Sequence, residues 1–313
     1  MSDLLKYIKD IGFENVVEIE DVKSFTGKVK VLKDLEDKKY YLKEKDNIEL
    51  LNREYKLMKY LSSKDIPVAV PLKNKLGDYY FKINEKIYCL YPKLPGNSVD
   101  EKHYKKDFLQ RGKFLGESVA KLHNALKDYK YLEGYNESQL AKGILECIIP
   151  ELYKYNDKFD IKLIKTMEKE FEKNFVKAFN LLPKHLIHRD LHPGNILIKD
   201  NKLTGFVDFD LVLKSVRIFD PCYCATSILI SGIDDKVKRN KWIDIFHSLM
   251  NGYSKVGLHQ VEIENIMFIL YSIELIYMNF SISIDDIGAA KCNEKTLRWL
   301  YTNRERILGR LNL

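Results

Sequence analysis

The 313-residue sequence predicts an α+β protein of two lobes, a small strand-rich lobe followed by a larger helical one. Three observations carry this expectation. Apolar residues alternate with polar ones in short runs up to about Tyr91, the period of a half-buried strand. Pro92, Pro95 and Gly96 then interrupt the chain. Beyond them the apolar period changes to that of a helix. The expected division is residues 1–91, a connecting hinge at 92–97, and residues 98–313.

In chain order, NVVEI (15–19) and KVKVLKD (28–34) are expected as strands around the turn-like SFTG. KYYLK (39–43) alternates, placing Tyr41 and Lys43 on one face and Tyr40 and Leu42 on the other. A helix is predicted from Ile48 to Leu61, with Leu50, Leu57, Met58 and Leu61 on its apolar stripe. Pro67 and Pro71 stop it from continuing. DYYFKI and KIYCLY then form two strands across a turn at 84–85. The spacing of Phe108, Leu115, Val119 and Leu122 predicts a helix over 108–126. Further helices are expected at 138–155, at 161–180 and over most of the chain after Cys224.

The stretch HLIHRDLHPGNILIKDNKLTGFVDFD (185–210) departs from this helical pattern. ILI (196–198) and GFVDF are expected as the two strands of a hairpin around KDNK. Two strands alone are marginally stable, so the hairpin is expected to rest on the helices.

Composition excludes several classes. Lys plus Arg number 52 against 45 Asp plus Glu, a net charge of +7 spread along the chain. No dense basic patch with interleaved aromatics points to nucleic acid, although a positive chain suits an anionic ligand such as a nucleotide. Five scattered cysteines, with the lone CxC of Cys222 and Cys224, do not complete a four-ligand metal site. They are expected as free thiols in a reducing cytoplasm. The N-terminus lacks a signal-peptide core. The apolar run 265–280 is interrupted by Glu274 and two asparagines, and is expected as a buried helix, too short and polar for a membrane.

The hairpin places Asn195, just before its first strand, and Asp208, near the end of its second, at one end. An amide oxygen and a carboxylate there suit magnesium, which fills its remaining positions with water and phosphate oxygens. Asp190 would then accept the proton of a substrate hydroxyl. Each residue alone also fits a turn cap, and on these residues alone both readings stay open.

Spacing and identity together resemble a known family. HRDLHPGN followed by DFD is similar to the catalytic and metal loops of the aminoglycoside phosphotransferase and choline kinase-like family. The resemblance runs from about residue 20 to 240 and is sharpest over 187–210. It implies a bilobal protein kinase-like fold, with one main helix beside an antiparallel sheet in the N-terminal lobe. It implies Asp190 as the catalytic base and Asn195 and Asp208 as holders of Mg2+ and nucleotide. His188 is then a structural histidine and Asp220 an acceptor of backbone N–H bonds from the catalytic loop. Asp210 is left between charge near magnesium and loop anchoring.

In the N-terminal lobe the resemblance implies Lys43 on the phosphates of ATP or GTP, paired to Glu54 on the following helix. SFTGKVK, with Gly27, is similar to the phosphate-covering hairpin, though it holds one glycine where protein kinases carry three. CLYPKLPG is similar to the interlobe hinge, so backbone atoms at Leu90, Tyr91 and Lys93 are expected near the base, with Tyr91 flanking it.

Only eleven residues separate Asp208 from Asp220, and no APE follows, which leaves no peptide-binding activation segment. The expected acceptor is therefore a small molecule bearing a hydroxyl. Aminoglycosides (and so antibiotic resistance), choline, homoserine and methylthioribose all stay open. Glu274 and Tyr277 are either pocket-lining or core. The competing class is a non-catalytic binding or spore-coat protein on the same fold. Oligomeric state, monomer or dimer, is open.

Overall fold

The computed structural model describes residues 3–21, 29–98, 104, 107–309 and 311. The chain divides into two compact units, residues 1–97 with 197–207, and residues 98–196 with 208–313.

The first unit is built on a five-stranded antiparallel sheet in the order β1-β2-β3-β5-β4. Its elements are α1 (Asp3–Asp10), β1 (Val16–Asp21), β2 (Val29–Asp34), β3 (Lys39–Lys45), α2 (Ile48–Ser63), β4 (Phe81–Ile83) and β5 (Lys86–Pro92). Positive φ at Asn84 (46°) and Glu85 (64°) makes the tight β4–β5 turn. One sheet face packs Leu32, Leu42, Phe81 and Leu90 against Leu5 and Ile8 of α1. The other sets Tyr41, Cys89 and Tyr91 beside Leu51 of α2. Alternation along β3 therefore sorts its side chains as expected. The α2 stripe differs at one position. Leu51 is buried, whereas Leu50 is 52% exposed, because the buried row runs through 51, 58 and 61.

The hairpin β8 (Ile196–Lys199) and β9 (Lys202–Phe206) forms with the expected turn, as Asp200 and Asn201 both take positive φ. It belongs to the first unit, not to the helical unit in which it was expected. It extends the two-residue strand β6 (Asn97–Ser98) into a small sheet and clusters with the first unit. Thr204 donates to the Pro95 carbonyl at 2.6 Å, and the Phe206 N–H to Pro67 at 2.8 Å. These bonds give the hairpin the backing that two isolated strands lack.

The second unit is largely helical. Its helices are α3 (Phe108–Leu126), α4 (Leu140–Gly143), α5 (Ile149–Tyr153), α6 (Ile161–Glu170), α7 (Val176–Phe179), α8 (Phe219–Ser231), α9 (Lys236–Tyr253), α10 (Gln260–Ser283), α11 (Ile287–Thr302) and α12 (Arg304–Leu308). π-helical turns at Ile144–Ile148 and Phe171–Phe175 join α4 to α5 and α6 to α7. The helices expected at 138–155 and 161–180 are thus continuous but widened locally by these turns. α3 and α9 approach closely: a Cβ on Gly116 would lie 1.8 Å from the Leu249 carbonyl oxygen, and one on Gly252 2.3 Å from that of Lys113.

The apolar run at 265–280 lies inside the longer α10, whose 24 residues would suffice to cross a membrane by length and composition. The expectation that it is too short is corrected. Two thirds of its apolar window is buried within the protein, with Glu262 and Glu274 fully inside. None of the five cysteines is in a disulfide: Cys89, Cys222 and Cys224 are buried, Cys292 partly so, and Cys147 is exposed.

β7 (Lys184–Ile187) and β10 (Leu213–Val216) pair antiparallel, Ile187 opposite Leu213. This ladder was not legible in the sequence, and it positions the site. The loop 188–195 leaves β7 where the segment 208–212 enters β10.

Candidate active site

The two functional segments are held at both ends. The β7–β10 ladder fixes one end. β8 begins directly after Asn195, and β9, its neighbour across the two-residue turn, ends at Phe206. Asp208 follows two residues later. Asn195 and Asp208 therefore flank the same end of the hairpin.

The loop's backbone is organised from beneath by Asp220, in the first turn of α8 and fully buried. Its carboxylate accepts the N–H of His188 at 2.8 Å and of Arg189 at 2.9 Å. His123 of α3 places Nε2 3.0 Å from the same carboxylate, and its Nδ1 lies 2.9 Å from the Tyr253 hydroxyl. Burial pushes the Asp220 carboxyl up, but its bonds to His123 and to the His188 N–H outweigh this and hold it below the ordinary value. The bonds also steady Arg189, which sits at φ 74°, a left-handed conformation that a side chain with a Cβ adopts at a cost. Its guanidinium lies 4.6 Å over the Phe219 ring. His188 is fully buried and packs on Phe209, as a structural histidine should.

Above this base stands Asp190, with about a quarter of its side chain exposed. Asn195 donates through Nδ2 to the Asp190 carbonyl at 2.8 Å and to its Oδ2 at 3.3 Å. With its amide N–H groups on Asp190, the Asn195 carbonyl oxygen is the group left to meet a cation. Asp208 is exposed, in the left-handed region at φ 69°, ahead of the short 3-10 turn Phe209–Leu211 that carries the exposed Asp210. One amide oxygen and one accessible carboxylate are hard donors. They fit magnesium, which needs few protein ligands when phosphates supply the rest. Among the described residues no group of three or more His, Cys, Asp or Glu side chains forms an all-protein metal cage.

The sequence reading missed Tyr223. Its hydroxyl donates to Asp190 Oδ1 at 2.9 Å, and its ring stacks on Tyr277 at 5.2 Å and 6°. Tyr277 is thus beside the site rather than in a remote core. Glu274, one turn earlier on α10, is fully buried, and burial alone raises its carboxyl well above the ordinary range. No spacing rule pairs a helix tyrosine with a loop aspartate 33 residues earlier, so nothing in the sequence signalled the Tyr223 contact.

In the first unit, Glu54 is held by Lys45 at 2.7 Å and by the Tyr91 hydroxyl at 2.9 Å. The lysine bonded to Glu54 is therefore two residues beyond the expected Lys43. Both lysines lie on one face of β3, and strand alternation cannot separate positions two apart. Lys43 places its Nζ 5.8 Å from the Tyr91 ring centroid. Tyr91 is 5% exposed and its hydroxyl donates to Glu54. The Lys93 N–H is already bonded to Lys39 and the Leu90 carbonyl to the Leu72 N–H. These two hinge groups are thus engaged within the first unit. Gly27 and the SFTG turn lie outside the described residues.

This architecture defines a class: an antiparallel sheet with one principal helix, a helical second unit, and an Asp-Asn-Asp constellation around a hairpin make a kinase-like phosphotransferase fold. Residues 21–253 match the APH phosphotransferase enzyme family, and the chain belongs to it. A homoserine kinase of Methylobacillus flagellatus is 25% identical over 197 residues, 62% of this chain and 58% of that kinase. The match thus spans little more than half the length of that relative. Among solved structures, the amicoumacin kinase hAmiN in complex with AMP-PNP, Ca2+ and Ami is similar, with a TM-score of 0.68 and 18% identity over 94% of this chain and 92% of that one. The GDP complex of aminoglycoside 2'-phosphotransferase-IIIa gives a TM-score of 0.67 and 17% identity over 97% and 100%.

Proposed function

We propose that this chain is a magnesium-dependent small-molecule kinase, moving the terminal phosphoryl group of ATP or GTP to an alcohol. The observation that carries the reading is the Asn195 amide, whose nitrogen donates to the Asp190 carbonyl and carboxylate, so that its carbonyl oxygen is the atom left for a cation. In the proposed reaction the acceptor oxygen forms a bond to the terminal phosphorus as the bond to the bridging oxygen breaks. The acceptor proton passes to Asp190 and the nucleoside diphosphate leaves. Bound at Asn195 and Asp208, magnesium supplies charge neutralisation for the phosphate oxygens. Lys43 is assigned to the phosphates, and Asp190 chiefly aims the hydroxyl. The nucleotide requirement is consistent with work in the cytoplasm.

Homoserine is the first acceptor to try, because a homoserine kinase is 25% identical to this chain over 197 residues. Aminoglycosides come second, on the fold likeness alone. A screen of ATP and GTP against homoserine, choline, ethanolamine, methylthioribose and kanamycin tests the reading. The expected result is one phosphorylated product whose formation needs Mg2+ and is lost in Asp190→Asn. Tight nucleotide binding with no product from any acceptor would favour the non-catalytic alternative.

A further inference from the structure

We propose that Tyr223 is a positioning residue for phosphoryl transfer, fixing the Asp190 carboxylate through its hydroxyl; this rests on the kinase reading above. One turn of α8 supplies two anchors for the same loop. Asp220 and Tyr223 are three residues apart and so share a helix face. Asp220 takes the backbone N–H groups of His188 and Arg189. Tyr223 takes the side chain of Asp190, the next residue along.

The two oxygens of Asp190 then have different donors. Oδ1 receives the Tyr223 hydroxyl at 2.9 Å and Oδ2 the Asn195 amide at 3.3 Å. Two donors on two oxygens fix both the position and the plane of a carboxylate, where one would leave it free to rotate. The remaining lone pairs stay available to an acceptor hydroxyl on the exposed side of Asp190.

The phenol is itself held. Its ring stacks on Tyr277 at 5.2 Å and on Phe219 at 6.2 Å and 26°. His192 of the loop meets its edge at 6.4 Å and 84°. Burial, with Tyr277 and Asp190 nearby, raises the phenol far above its ordinary range. It therefore stays protonated, a donor to Asp190 and not a relay for the acceptor's proton. A rigid donor costs little ordering entropy when the transition state forms.

Tyr223→Phe keeps the ring and its stacking and removes only the donor. The assay is steady-state transfer from ATP–Mg2+ to whichever of homoserine, choline or kanamycin the wild type phosphorylates, beside a nucleotide dissociation constant and a melting curve. The expected result is a kcat lower by about 10- to 100-fold, the loss for one hydrogen bond to a charged group, with nucleotide affinity and melting unchanged. An unchanged kcat overturns the proposal. So does a loss of kcat that is matched by lost nucleotide affinity or a lowered melting temperature, which marks a structural role. A wild type inert towards every acceptor sinks the kinase reading and this proposal with it, whereas an active wild type with an equally active Tyr223→Phe sinks the proposal alone.

Discussion

Asp220 joins His123 to the loop 188–195 inside the second unit: Nε2 of His123 lies 3.0 Å from the carboxylate that also receives two loop N–H groups. Removing that carboxylate strands two buried donors and a histidine at once. Asp220→Ala is expected to lower unfolding stability by about 3–5 kcal/mol, the cost of breaking a buried charged network. Urea unfolding monitored by circular dichroism measures it. A loss below about 1 kcal/mol, the level of one ordinary hydrogen bond, would contradict the anchoring role.

His185, whose ring meets that of His123 at 4.8 Å, predicts a pH dependence. Burial first, then the neighbouring histidine, push its folded-state pKa down to about 3 from an ordinary 6.5. The unfolded chain therefore binds a proton in this window that the folded chain refuses. Stability is full above pH 6.5 and falls as pH drops from there towards 3, by up to about 1.4 kcal/mol per pH unit from this group. His185→Gln should flatten that part of the profile, and an unaltered profile in the variant would refute the assignment.

The buried pair Arg217–Glu262 closes at 2.5 Å through Nη2 and 2.9 Å through Nε, while Glu262 also accepts the His259 N–H at the start of α10. Glu262→Ala leaves an unmatched guanidinium inside and is expected to cost about 3–5 kcal/mol. Replacing both residues by Met and Leu should recover much of that loss, since an apolar pair of like volume needs no partner. Melting temperatures of the single and double variants decide the matter.

Asp208 is exposed, so Asp208→Ala should fold normally yet lose magnesium-dependent turnover. Lys45→Ala should behave in the opposite way, weakening the first unit by about 1–3 kcal/mol through the lost bond to Glu54. Lys43→Ala, by contrast, is expected to act on nucleotide turnover. Comparing unfolding curves with kinetics for the three variants separates these roles. Equal effects of the two lysines on stability would remove the distinction.

Much of this was legible in the sequence, and the limits are physical. The helix over 108–126 and the first-unit strands announced themselves by period, because each buries one regular face. The β7–β10 ladder was not legible, since its two short strands lie 25 residues apart and only tertiary pairing makes them strands. The π-helical turns at Ile144–Ile148 and Phe171–Phe175 share helical composition with their neighbours. Asp190, Asn195 and Asp208 were singled out by their places around one hairpin together with the family resemblance, and their roles are part of the proposal. Lys45 and Tyr223 were missed because their contacts depend on which of two equivalent strand positions, or which helix face, meets a distant residue.

The division of the chain has a consequence for dissecting the protein. The polypeptide leaves the first unit after Asn97, returns at Leu197 and departs again after Val207. An N-terminal fragment ending at Asn97 would therefore lack the ribbon that donates to Pro67 and Pro95, and the complementary fragment would carry that ribbon with no sheet to join. Neither half is a self-sufficient module. Coexpression of the two pieces, rather than either by itself, is the arrangement in which each could complete its own hydrogen bonding.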